Sequence, residues 1–227
     1  MVKNDLFRNY LTMKFASIVL VAAFTLLHVS AKCQDAWELR KDKNGIKVFS
    51  RKSKDFKLDE IKVECVFEGR LSQLASVLFD VNKQYQWVYK TSKSELLKQI
   101  SPADVFFYTE IECPWPFDNR DLIVHMNMTQ NTATRALMIE AKNVDGYMPE
   151  KKDIVRVKYS NALWTVTPIN NRQFKIDYRI QIDLGEGTPA WLVNMFSTSG
   201  PYESFLHLKE KLKDPKYAAA KFPTVVD

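Results

Sequence analysis

Phe174-Lys175-Ile176-Asp177-Tyr178-Arg179-Ile180-Gln181-Ile182-Asp183 alternates without a break, every even position apolar and every odd one polar. Successive side chains of a strand point to opposite faces, so this segment has one dry face and one wet face. Such a pattern belongs to an antiparallel sheet covered on a single side. Working back from it, residues 94–100, 104–112, 121–129, 134–142, 153–160 and 162–168 also read as strands. Short polar links join them, as in a meander. Nearer the start, Asn44-Gly45 signals a hairpin turn, since both residues tolerate positive φ. Ile46 and Val48 then alternate with Lys47 and Phe49, and Ile61, Val63, Cys65 and Phe67 fall on one strand face. Ser72 is placed to cap a short helix with Leu74, Ala75, Leu78 and Phe79 on one side. Tyr85 to Tyr89 continues irregularly, with Trp87 as its anchor.

Working forward, the pattern changes period. Thr188 is suited to cap a helix and Pro189 to take its first position. Trp191, Leu192, Met195 and Phe196, then Tyr202, Phe205, Leu206, Leu208 and Leu212, recur at helical spacing. Gly200-Pro201 is expected to kink or divide this helix and to act as the hinge of a lid. The tail from Asp214 is expected to fray. The fold class is therefore α+β: a curved antiparallel sheet of about eight or nine strands around a long C-terminal helix. One helix cannot fill so large a sheet, and the apolar space left between them is a ligand site by default.

Composition agrees with a globular domain: 46% of residues are hydrophobic, 26% charged and 12% aromatic, which argues against disorder. The formal net charge is +6. Half of it comes from Lys3, Arg8, Lys14 and Lys32 against Asp5 in the first 33 residues, and the remaining basic residues are scattered. That excludes a nucleic-acid partner but leaves room for transient contact with an anionic membrane surface. Phe15 to Val29 is an uncharged apolar run behind Lys14, shorter than the about 20 residues of a membrane span. Residues 1–33 therefore read as a signal peptide cut after Ala31 or Cys33, with Met1 or Met13 as the start. An uncleaved anchor is the alternative. Export to the periplasm or beyond follows from this reading, with the domain at 34–213 and a tail at 214–227. Cys65 and Cys113 lie in different strands; in an exported protein they are either a pair or two free thiols, and free thiols fit better.

Four motifs in register over residues 37–213 resemble a known family. Pro114-Trp115-Pro116 with Asn119-Arg120-Asp121 resembles the Pro-Trp-Pro…Arg-Asp signature of START (steroidogenic-acute-regulatory-related lipid transfer) domains. Trp37-Glu38-Leu39 with Gly45 to Arg51 is similar to that family's opening strand pair, and Trp164 with Pro168 to its aromatic strand. Gly187-Thr188-Pro189-Ala190-Trp191-Leu192-Val193-Asn194 is similar to its entry into the last helix. The resemblance implies a helix-grip fold, a tunnel for sterols, phospholipids, ceramides or other apolar molecules, and no cofactor. Some sterol-binding relatives pair a cavity glutamate with a cavity arginine. Glu110 stands where the glutamate would be, but Met126 occupies the arginine's place, which weakens the case for a sterol.

The residues expected to line the cavity are Tyr108, Glu110, Leu122, Val124, Met126, Tyr159, Tyr178, Ile180, Leu192 and Met195. The tyrosines would supply the few polar contacts that orient a ligand. Trp115, Arg120 and Asp121 are expected to be structural. Adjacent strand residues point apart, so Arg120 and Asp121 cannot pair; Arg120 would fasten the Pro114–Asn119 loop and Asp121 accept backbone donors. No catalytic constellation or metal-ligand spacing is present, and His125 and His207 are isolated. The expected function is carriage of one lipid or apolar small molecule by a monomer. Two alternatives stay open: a cyclase- or hydrolase-like enzyme using Glu110, and a sensor or assembly protein of the envelope.

Overall fold

In the computed structural model the described residues are 36–53, 59–185 and 188–227. The signal-peptide reading of residues 1–33 falls outside them. Ten strands form one sheet among the described residues. They are β1 (Glu38–Lys43), β2 (Ile46–Arg51), β3 (Glu60–Glu68), β4 (Thr91–Ser101), β5 (Asp104–Ile111), β6 (Asn119–Gln130), β7 (Leu137–Asn143), β8 (Ile154–Arg156), β9 (Tyr159–Asn170) and β10 (Gln173–Asp183). Their order across the sheet is β1-β2-β3-β10-β9-β7-β6-β5-β4. The segment with unbroken alternation thus sits near the middle, hydrogen-bonded to β3 and β9. Asn44 and Gly45 both have positive φ, which lets a two-residue turn match the twist of β1 and β2.

All these pairings are antiparallel except one. The strand expected over 153–160 resolves into the three-residue β8 and the start of β9, and β8 runs parallel to β6. Asp121 and Arg156 are partners in that register. Their side chains form a buried ion pair across it, and the Val157 N–H donates to the Asp121 carbonyl.

Helix α1 (Leu71–Phe79) covers one end of the dry face. Its N-cap is Arg70 rather than Ser72. Ser72 lies in the first turn, where its N–H and hydroxyl donate to the Asp227 carboxylate at 2.8 and 2.6 Å. The long C-terminal helix begins with α2 (Ala190–Asn194), passes through a widened turn at Met195–Ser199, and continues as α3 (Gly200–Lys211). The chain is not divided at Gly200-Pro201. Gly200 has helical φ and ψ, and Pro201 falls where the widened turn gives way to α3. Gly200 is needed for space instead, since a Cβ there would lie 3.2 Å from the Tyr89 ring.

Tyr202, Phe205, Leu208 and Leu212 form the buried stripe of α3 and its last turn. Phe205 packs against Phe67 of β3, Trp164 of β9 and Tyr178 of β10, with ring centroids 6.4, 5.1 and 5.3 Å away. The tail does not fray. Asp214 caps α4 (Pro215–Ala218), Tyr217 and Phe222 are buried, and Asp227 holds α1 through Ser72 and Arg70. Burial opposes the charged form of Asp227, but the bonds from Ser72 and Arg70 outweigh it and hold its carboxyl below the usual range. Cys65 is buried and Cys113 half-buried, and both are free thiols.

Candidate functional site

Burial along β10 divides the interior in two. Phe174 and Ile176 are fully packed, whereas Tyr178, Ile180 and Ile182 on the same face are only partly covered. The second group lines a partly open cavity of about 230 Å³. The sheet supplies Leu122, Val124 and Met126 from β6, Phe107, Thr109 and Ile111 from β5, and Ser160, Ala162 and Trp164 from β9. The helical side supplies Phe196, Gly200, Pro201, Ser204 and Phe205. Trp87, Val88, Tyr89 and Thr91 form a third wall between the turn at Val81–Gln86 and β4. One hydrogen bond holds that wall to the helix: the Ser204 hydroxyl accepts from the Tyr89 N–H at 2.9 Å, while donating within the helix to the Gly200 carbonyl.

Among the described residues the lining contains no Asp, Glu, Lys, Arg or His. Its polar groups are neutral hydroxyls, one glutamine and indole N–H groups. Burial pushes the Tyr178 hydroxyl well above the ordinary phenol range, so it stays protonated.

Of the residues expected to line the cavity, Leu122, Val124, Met126, Tyr178 and Ile180 do line it, and so do the expected hinge residues Gly200 and Pro201. Tyr108, Glu110, Tyr159, Leu192 and Met195 do not. Register explains the first two. Phe107 is opposite Val124 and Thr109 is opposite Leu122, and directly opposed residues share a face. Tyr108 and Glu110 therefore face outward with Ile123 and Asp121. The Tyr108 hydroxyl donates to Glu110 at 3.1 Å and accepts from Lys151 at 2.8 Å. Glu110 also accepts from Asn119 at 3.1 Å. Tyr159 fails by parity: β9 is one continuous strand in which even positions look inward, and the Tyr159 hydroxyl meets Gln181 outside. Leu192 is buried in the core, and past it the widened turn rotates Phe196 rather than Met195 toward the space.

The loop motif has separate parts. Arg120 donates to the carbonyls of Asp118 and, at 3.2 Å, Leu184, so it ties the β5–β6 loop to the end of β10. Asp121 accepts Arg156 rather than backbone donors, with Nε–Oδ1 and Nη2–Oδ2 distances of 2.6 and 3.1 Å. Trp115 is not packed: it is 92% exposed at the loop tip. Beside it, Phe117 stacks edge-on against the half-exposed Trp191 with centroids 5.7 Å apart.

Sequence reasoning missed Trp87 and Thr91 as cavity residues. Trp87 carries a signal, a large aromatic in an irregular segment, but nothing local indicates which space it borders.

A family model described as START domain matches residues 26–216. An uncharacterized protein of Pseudomonas aeruginosa is 27% identical over 191 residues, 84% of this chain and 93% of that one. The phosphatidylcholine transfer protein of Mus musculus is 24% identical over 168 residues, 72% of this chain and 78% of that one. A solved STAR-related lipid transfer protein from Xanthomonas axonopodis is 28% identical with a TM-score of 0.72, covering 79% of this chain and 100% of that chain.

Proposed function

Because the chain belongs to the START domain family, we propose that it encloses one lipid or other apolar small molecule between its sheet and its C-terminal helix and carries it through water. The lining carries this reading, because an internal space walled by apolar side chains and free of charge suits a hydrocarbon body. Burial is worth about 0.8 kcal/mol per methylene, so an acyl chain is held strongly and leaves only when the cover opens. Gating falls to the C-terminal helix, with its hinge in the widened turn at Met195–Ser199 and the adjoining Gly200-Pro201. An enzyme would need a positioned acid or base inside, and Glu110 lies on the outer face. If residues 1–33 direct export, the carrier works in the periplasm or outside the cell.

Native mass spectrometry of the purified protein, followed by organic extraction, tests the reading. One lipid per chain is the expected result. A protein that stays empty after incubation with mixed lipids would return the argument to a sensor or assembly role.

The loop between β5 and β6 is the proposed point of membrane contact. Trp115 stands clear of the fold there, beside Phe117 and Trp191, and tryptophan partitions to membrane–water boundaries. Trp115→Ala is expected to slow lipid transfer between vesicles several-fold while leaving thermal unfolding unchanged, since the side chain packs on nothing. Equal transfer rates for the two proteins would remove the loop from the docking surface.

A further inference from the structure

Side-chain volume on the dry face falls at one level of the sheet. Along β7 the inward residues are Leu137, Ile139 and then Ala141; back along β9 they are Val166, Trp164 and then Ala162. Ala141 and Ala162 are directly opposed in the register of these strands, so both reductions fall at the same place. Both alanines line the cavity, and the residues paired with them on the far side, Met126 and Ile180, form its flanks. Ser160 is the next inward residue of β9. It is 8% exposed, lines the same space, and its hydroxyl bonds to no described residue.

One level further along β9 the cavity ends. Trp164 is opposed to Tyr178, their rings lie 4.5 Å apart, and Phe205 of α3 stacks on Trp164 at 5.1 Å. These three rings belong to the lining, whereas Val166 and Ile176 at the level behind them are fully buried and do not. From Tyr178 the lining runs to Leu184, about 20 Å of extended chain. The volume of about 230 Å³ is below the about 300–1,000 Å³ of pockets for drug-sized ligands. So small a volume over such a length is a narrow channel with a closed inner end. The hydroxyls of Thr109, Ser160, Tyr178 and Ser204 are spread over its walls, and no described lining residue is charged. Shape therefore does the sorting, and a buried ion would find no counter-charge.

We propose that Ala141 and Ala162 hollow out the inner end of the cavity, that the Trp164 ring closes it, and that together they restrict the ligand to one uncharged chain and set the length it buries. This rests on the carrier reading and narrows its ligand class.

Displacement of the uncharged dye Nile red by decanol, oleyl alcohol and dioleoylglycerol tests it. Each buried methylene is worth about fourfold in affinity. A leucine at either alanine position occupies the space of two or more methylenes. In Ala141→Leu and Ala162→Leu proteins, oleyl alcohol should therefore bind at least about tenfold more weakly than in the wild type. Decanol, which fits the remaining space, should hold within about twofold and so reports that each variant is folded. Trp164→Ala opens the inner end and should favour oleyl alcohol over decanol more strongly than the wild type does. An unchanged ratio of oleyl alcohol to decanol binding in both leucine variants would overturn the proposal and leave the carrier intact. So would wild-type protein that binds the two-chain dioleoylglycerol as tightly as oleyl alcohol, a comparison that decides the matter even if a variant fails to fold. Displacement by none of the three would overturn both readings.

Discussion

Asp121→Ala is expected to destabilise the protein by about 3–5 kcal/mol and to lower its thermal midpoint by about 10 °C. The side chains of Arg156 and Asp121 are 5% and 1% exposed, and they meet through two parallel hydrogen bonds. Removing the carboxylate leaves a guanidinium sealed inside without its counter-charge. Arg156 would keep only its bonds to the Met148 and Pro149 carbonyls, both at 3.3 Å. Those carbonyls belong to the segment that covers the outer face of β5 and β6, so the damage should spread to the packing over Tyr108. Urea denaturation of the two proteins measures the difference. The double variant Asp121→Leu/Arg156→Met should regain part of the loss, because it removes both charges instead of stranding one. A single-variant loss under about 1 kcal/mol would mean that the pair is screened as a surface pair is.

Locking the helix should have the largest effect on function. The Tyr89 N–H and the Ser204 hydroxyl are 2.9 Å apart, which makes these two positions the place to join the wall to the helix by an engineered disulfide. In a Tyr89→Cys/Ser204→Cys protein carrying Cys113→Ser, oxidation is expected to slow exchange of a fluorescent lipid more than about tenfold, because the ligand could leave only through rarer local opening. Reduction should restore it. Cys65 does not interfere, since burial holds its thiol protonated and inert. Unchanged exchange in the oxidised protein would mean that the ligand passes elsewhere and that α3 is no lid.

Much of this site could be read from local pattern, and the failures have a common cause. The faces of β10 were plain because its apolar and polar residues alternate cleanly, and β6 alternates in the same way from Val124 to Met128. In β5 the run Val105-Phe106-Phe107-Tyr108 is apolar on both faces, because segment 144–158 covers its outer side. Alternation could not choose between Tyr108 and Phe107, and only the register with β6 does. Splitting residues 153–168 into two strands cost the parity of Tyr159 in the same way. Ser72 had the chemistry of a cap, yet its partner Asp227 lies 155 residues away, and the tail that bears it looked frayed for the same reason.

The sequence by itself determined most of the secondary elements, the Asn44-Gly45 turn, the dry face of the central strand and the long amphipathic C-terminal helix that covers it. These follow from backbone periods of 2.0 and 3.6 residues and from turn chemistry, which act over a few neighbouring positions. Tertiary structure alone decided which side of β5 looks inward, that Asp121 finds Arg156 through a parallel strand, and that Trp87 and Thr91 stand in the cavity wall. Each of those depends on pairing between segments distant in the chain, where many small contact energies are summed at once and no short window of sequence contains them.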